Sequence, residues 1–338
     1  MNATQVRLAR RPHGEPADDT FAYTHDEVPD PSDGQLLLRV RYLSLDPYMR
    51  GRMSDAESYA APVEVGDVLV GGTVCEVLDS RHPDYRPGDT VLSYSGWQTH
   101  ALSDGTGLRR LDPSAAPVTT ALGVLGMPGF TAYAGLLEIG RPKPGETVVV
   151  AAATGPVGSA VGQIARVKGA RAVGIAGGPR KCRALLEELG FDAAVDHRSD
   201  TFVDDLAAAT PDGIDVYFEN VGGPVAAAVS RRLNVHARVP VCGLVATYNA
   251  TSAPQGRDRL PAFMGLVLRR SLTVRGFIQD EFTASHGRDF LRDMPGWVAD
   301  GSVRYREDVV DGLESAPEAF RGMLAGRSFG KVLVRVSE

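Results

Sequence analysis

Thr147-Val148-Val149-Val150-Ala151-Ala152-Ala153-Thr154-Gly155-Pro156-Val157-Gly158-Ser159-Ala160-Val161-Gly162-Gln163-Ile164-Ala165-Arg166-Val167-Lys168 is the stretch whose reading decides the fold. Residues 148–152 form a continuous apolar run led by valines, the pattern of a strand buried on both faces. A turn holding Gly155 and Gly158 follows. Val157, Val161, Ile164 and Lys168 then recur at helical spacing, with apolar residues on one face. Strand, glycine turn and helix open a nucleotide-binding βαβ unit. Gly155 permits the tight turn, and Gly158 lets the helix approach strand and ligand closely. The helix N-terminus offers N–H groups and a positive dipole end to a pyrophosphate. The spacing is Ala152-x-x-Gly155-x-x-Gly158, not Gly-x-Gly-x-x-Gly. A glycine turn that only packs a helix on a sheet is the competing reading; the surrounding chain favours a dinucleotide.

With 338 residues, the chain is long enough for two domains. Its 43% apolar and 23% charged content is that of an ordinary soluble globular protein. The net charge of −6, with no basic run, argues against nucleic acid as a partner. Arg7, Arg10 and Arg11 are followed by no apolar segment, so no secretory signal is expected. The longest apolar run falls far short of the ~20 residues of a membrane helix, and no membrane partner is expected. Cys75, Cys182 and Cys242 are too separated for a disulfide framework, which suits a reducing cytoplasm.

Outward from the central stretch, residues 1–122 read as mostly β. Strands are expected at 35–42, 68–77 and 90–94, punctuated by Gly71, Gly72 and the turn at 84–89. Residues 43–50, with Pro47 inside, read as a loop able to carry function. A helix is expected at 131–139. Beyond the first βα unit, strands at 172–176, 193–196, 214–219, 238–242 and 272–277 are expected, with helices at 181–189 and 225–233. That alternation predicts a doubly wound parallel sheet. Residues 308–324 read as helical and 332–336 as a strand. The expected domains are 1–122, 123–302 and a C-terminal return, 303–338, that completes the first. Residues 254–263, with Gln255, Gly256, Arg257 and Asp258, are expected to form a mobile flap.

The second nucleotide strand ends at Ala176. NAD-selective folds place an acidic residue there to bond the ribose 2′-hydroxyl. This chain has Gly177 and Gly178, then Pro179, Arg180 and Lys181. The repulsion of a 2′-phosphate is absent, and two cations stand at a helix start where the dipole does not favour them. NADPH is therefore expected over NADH.

At this point the chain resembles the zinc-independent medium-chain reductases of the leukotriene B4 dehydrogenase type. That family includes prostaglandin reductases, alkenal double-bond reductases and curcumin reductases. The resemblance is carried by Leu45-Asp46-Pro47-Tyr48-Met49-Arg50, by Gly126-Met127-Pro128-Gly129-Phe130-Thr131-Ala132-Tyr133 and by Gly155-Pro156-Val157-Gly158-Ser159. It continues in Tyr217-Phe218-Glu219-Asn220-Val221-Gly222-Gly223, Cys242-Gly243, Thr247-Tyr248-Asn249 and Gly330-Lys331. It implies an α/β architecture: a Rossmann domain with a doubly wound parallel sheet, inserted into a GroES-like, mainly β catalytic domain. It also implies reduction of an activated carbon–carbon double bond by NADPH, and a homodimer. By motif, Lys181 would bind the 2′-phosphate. Met127, Thr131 and Asn220 would lie along ribose and nicotinamide. The segment from Cys242 and Gly243 to Tyr248 would cross the cofactor, and Tyr48 and Tyr248 would face the substrate. The full cofactor set adds Gly155, Pro156, Val157, Gly158, Gly177, His197, Phe277 and Ser328. His197 stands where relatives commonly have Tyr, and Ser328 where many have Asn.

Reducing an α,β-unsaturated ketone or aldehyde puts negative charge on the carbonyl oxygen, so a hydrogen-bond donor must be placed there in advance. Tyr248 is the first candidate and Tyr48 the second; the plain alternative for either is a half-buried aromatic with a wet hydroxyl. Catalytic zinc would need three ligands of the Cys/His kind. Here Gly71-Gly72-Thr73 stands in place of a Gly-His-Glu element, and His13, His25, His82, His100, His197, His236 and His286 lack ligand spacing, so no metal is expected. Alcohol oxidation, quinone reduction and a non-catalytic NADPH-binding regulator remain the alternatives.

Overall fold

The computed structural model describes residues 1–252 and 258–337. The chain divides into two compact units. Unit 1 comprises Met1–Gly123 and Glu307–Glu338, and unit 2 comprises Val124–Arg306.

In unit 1 the N-terminal elements are β1 (Asn2–Leu8), β2 (Phe21–Glu27), β3 (Leu36–Ser44), α1 (Tyr48–Arg52), β4 (Thr73–Ser80), β5 (Thr90–Ser93), β6 (His100–Ser103) and β7 (Arg109–Leu111). Unit 2 holds α2 (Met127–Ala134), a π-helical turn (Gly135–Gly140), β8 (Thr147–Ala151), α3 (Pro156–Val167), β9 (Arg171–Ala176), α4 (Pro179–Glu187), β10 (Ala193–Asp196) and α5 (Phe202–Ala209). It continues with β11 (Ile214–Phe218), α6 (Gly223–Ser230), β12 (Leu233–Val241), α7 (Leu260–Arg270), β13 (Thr273–Gly276) and α8 (Thr283–Ala299). The chain then returns to unit 1 with β14 (Glu307–Asp311), α9 (Ala316–Leu324) and β15 (Lys331–Arg335).

Unit 2 is organised on a six-stranded parallel sheet in the order β10-β9-β8-β11-β12-β13. All five residues of β8 are buried. Val148 and Val150 join one core with Ile164, Phe290 and Met294, while Val149 and Ala151 join the core on the other face with Leu206 and Val229. That two-sided burial is why the central strand carries no polar alternation. Strand order reverses beside β8, so a crevice opens at the carboxyl ends of the strands.

Unit 1 is built on a mainly antiparallel seven-stranded sheet in which β15 lies between β14 and β3. β1 and β2 form a separate ribbon. Trp97, fully buried, stacks on Phe21 at 6.0 Å and meets Phe320 edge-on at 5.7 Å.

Several expectations are corrected. The loop read at 43–50 contains the end of β3 and, from Tyr48, the helix α1; Pro47 (φ −58°) sits at its N-cap with an angle that suits a helix entry. The strand expected from 68 begins only at Thr73. Gly71 before it packs where an added Cβ would come within 2.8 Å of Leu43. Helix α2 starts at Met127 rather than 131, with Pro128 in its first turn, and passes into the π-helical turn. Residues 308–311 are strand, not helix. They pair in parallel with β15, and Gly312 (φ +81°) turns the chain before α9. The helix expected at 225–233 ends at Ser230, and Leu233 already belongs to β12. Of the flap expected at 254–263, residues 254–257 lie outside the described residues, and Leu260 onward is α7. No helix among the described residues is long and apolar enough to cross a membrane.

Candidate cofactor and substrate site

The glycine turn joins β8 to α3. Gly155 is the N-cap of α3, and no side chain caps the helix start. A Cβ on Gly158 would fall 2.4 Å from the Ala152 carbonyl oxygen and 2.8 Å from Ala153 Cα, so only glycine lets α3 sit this close. Ala152 itself is left-handed (φ +52°), an uncommon backbone state for a residue with a side chain. The cradle thus fits a ligand that needs close backbone approach, and Pro156 and Val157 form the first turn of the helix beside it.

At the end of β9, Gly177 is flanked by side chains from the segment after β10. A Cβ there would lie 2.8 Å from Arg198 Nε and 2.9 Å from His197 Nε2. The next residue, Gly178 (φ +92°), donates its N–H to Asp196 Oδ1 at 2.8 Å, and Arg198 N–H donates to the same oxygen at 2.9 Å. Burial pushes the Asp196 carboxyl up, but those two N–H groups outweigh it and hold it below the usual range. Burial, then the Arg198 charge, lowers His197, so its imidazole is neutral at pH 7. Lys181 lies in the first turn of α4.

A second group gathers at the ends of β11 and β12. Asn220 Nδ2 donates to the Ala151 carbonyl at 2.9 Å. Cys242 and Gly243 donate their N–H groups to the Glu219 carbonyl at 2.9 and 3.2 Å. Burial pushes the Cys242 thiol up to about 12, so it remains a thiol. A Cβ on Gly243 would lie 3.2 Å from the Tyr248 hydroxyl, and burial raises the pKa of that phenol. Met127 and Thr131 share one turn of α2, where Thr131 Oγ1 donates to the Met127 carbonyl at 2.8 Å. The Phe277 ring is core, packed against Phe218 and Phe282 at 6.1 and 5.8 Å.

Tyr48 and Ser328 belong to unit 1. Tyr48 opens α1, and its phenol is raised by burial and then by Asp46, Tyr94 and Tyr59.

The family models agree with this layout. Residues 4–111 match the N-terminal domain of oxidoreductase, and residues 156–286 match the zinc-binding dehydrogenase model. The NADPH-dependent curcumin reductase of Escherichia coli (strain K12) is 55% identical over 330 residues, covering 98% of this chain and 96% of that protein. Prostaglandin reductase 1 of Rattus norvegicus is 38% identical over 340 residues, covering 99% of each. CurA from Vibrio vulnificus in complex with NADPH is 51% identical, covers 99% of each chain and superposes with a TM-score of 0.96. The chain belongs to the zinc-independent medium-chain reductases of the curcumin and prostaglandin reductase family.

Although one matching model is described as zinc-binding, the described residues of this reductase contain no group of three or more His, Cys, Asp or Glu able to hold a metal ion. One residue with a place in the reductase's candidate site, Arg198, escapes the sequence reading. Arg198 lies over Gly177 because β10 is the neighbour of β9, a fact of sheet order; its only sequence signal is its place directly after His197.

Proposed function

We propose that this NADP-dependent oxidoreductase reduces the carbon–carbon double bond of α,β-unsaturated ketones and aldehydes, without a metal. The observation that carries the cofactor choice is the end of β9. A glycine replaces the acidic residue, and Arg198 and His197 lie against it, with Lys181 in the first turn of α4. These residues would hold the 2′-phosphate, and the Gly155–Gly158 turn the pyrophosphate. Met127, Thr131 and Asn220 would hold the ribose and nicotinamide. Bound NADPH would supply a hydride to the β-carbon of the enone, and water would supply the proton that the resulting enolate takes up at its α-carbon. Tyr248 donates a hydrogen bond to the carbonyl oxygen as its charge develops, and Tyr48 orients the substrate. Burial raises both phenols, so each stays protonated, and able to donate, throughout the neutral range. The substrate class rests on the names of the relatives, a curcumin reductase and prostaglandin reductases.

The test is a panel of enals, alkenones, quinones and prostaglandin-like enones, followed by NADPH absorbance and product mass. Saturated carbonyl products are expected. Allylic alcohols as products, or turnover of quinones alone, would overturn the reading.

The reductase is further proposed to act as a homodimer in the cytoplasm. Every residue of the edge strand β13 is exposed, as are Leu260, Met264 and Leu268 of the adjoining α7, and an open apolar edge of this kind calls for cover.

A further inference from the structure

We propose that Glu219 is a positioning residue for the reductase, holding through its carboxylate the turn that presents Asn220 and the loop that presents Tyr248. The inference rests on the reading of Tyr248 as the donor to the substrate carbonyl.

Glu219 follows β11 and is 4% exposed. Its Oε1 accepts the N–H of Val221 at 2.7 Å and of Gly222 at 2.8 Å. Both bonds close the turn in which Gly222 and Gly223 take left-handed angles, φ +79° and +59°. The closed turn lines up three carbonyls. Glu219 accepts Cys242 and Gly243, Asn220 accepts Val245 at 3.2 Å, and Val221 accepts Ala246 at 3.0 Å. Tyr248 follows directly, its N–H on the Val245 carbonyl at 3.3 Å. The carboxylate therefore reaches Tyr248 through two layers of backbone bonds, and Asn220 stands between the residues it ties.

A buried carboxylate is costly, and no Lys or Arg pairs with Glu219 among the described residues. Backbone N–H bonds to an anion are shorter and about twice as strong as neutral ones, which suits a turn that must hold its shape during turnover. Burial raises the pKa of the Glu219 carboxyl, against the pull of those same N–H groups and of the buried Tyr217 hydroxyl.

The test combines Glu219→Ala and Glu219→Gln with Tyr248→Phe, measuring kcat, KM and NADPH affinity on one enone. Removing the acceptor strands two N–H groups and loosens the loop, so Glu219→Ala should lower kcat about 10- to 100-fold. Glutamine keeps an oxygen for both N–H groups, and its kcat should fall less than about threefold. In the Tyr248→Phe background the alanine change should cost at least about threefold less than in the wild type, because the part that acts through the lost hydroxyl is gone and only the part that acts through Asn220 remains. Losses that multiply fully would overturn the inference while leaving Tyr248 in place. So would a Glu219→Ala enzyme of wild-type turnover. A Tyr248→Phe enzyme of wild-type turnover would overturn both the donor reading and this one. Hydrogen exchange at Val245 and Ala246 in the glutamine variant covers the case in which the alanine variant does not fold. Retained protection with the small kcat loss supports the role. Retained protection with a loss above about tenfold would mean that the charge acts on the reaction itself, and would overturn positioning.

Discussion

Gly177 shows how much one missing side chain can decide. Its position leaves room for Arg198 and His197 where an NAD-selective fold would put a carboxylate. Charge-assisted contacts to a phosphate are lost with either cation, so Lys181→Ala and Arg198→Ala should each weaken NADPH about tenfold more than NADH. Raising the salt concentration should shrink the wild-type preference, because exposed charges are screened. Equal losses for both cofactors, measured by fluorescence titration, would remove either residue from the 2′-phosphate site. For Tyr248 the expected effect lies in turnover. Tyr248→Phe should cost about 1–3 kcal/mol in kcat, less than a full oxyanion donor, since a ribose hydroxyl or water takes over part of the role. NADPH affinity should barely change, since the ring remains. Wild-type kcat on several enones would make the tyrosine part of the wall.

At the scale of elements, the parallel sheet is legible because its strands obey local rules. The valine run of β8 and the glycines after it need no long-range information. The carboxyl-end positions of Asn220, Cys242 and Tyr248 follow from those strands. What is not legible depends on distant partners. Residues 308–311 carry no alternation that separates strand from helix, and β14 forms because β15 offers it an edge. The four strands β1, β2, β6 and β7 are short or partly exposed, and their pairing is settled by the ribbon, by β3 for β6 and by β5 for β7. The element α1 depends on a contact equally hidden in sequence. Lys331 Nζ, at the start of β15, donates to Asp46 Oδ1 at 2.6 Å and to the Leu45 carbonyl at 2.7 Å, just before α1. Ser44 Oγ donates to the other Asp46 oxygen. The ion pair is almost fully buried, at 2% and 7% side-chain exposure. Lys331→Met should therefore destabilise the protein by about 3–5 kcal/mol, because it strands the Asp46 charge. Adding Asp46→Asn should recover part of that loss in thermal unfolding; a double variant no better than the single would refute the pairing.

For the whole molecule, two solution measurements bear on the proposed enzyme. Dialysis against a chelator should leave activity intact, and elemental analysis should find well under one zinc per chain. Activity lost on dialysis and restored only by zinc would overturn metal-free reduction. Light scattering at micromolar concentration should give twice the chain mass; a monomer would leave β13 protected by Arg275 and its ion pair with Glu281 instead. The placement of β15 between β14 and β3 also bears on how the protein is made. Leu45 and the Lys331 that holds it are 286 residues apart, and all of unit 2 is translated between them. At about 5–20 residues per second, β3 waits at least ~15 s for its neighbour while unit 2 has every strand it needs. On the ribosome, unit 2 is therefore the first to acquire protease resistance. Unit 1, although begun first, closes only after the final strand has left the exit tunnel.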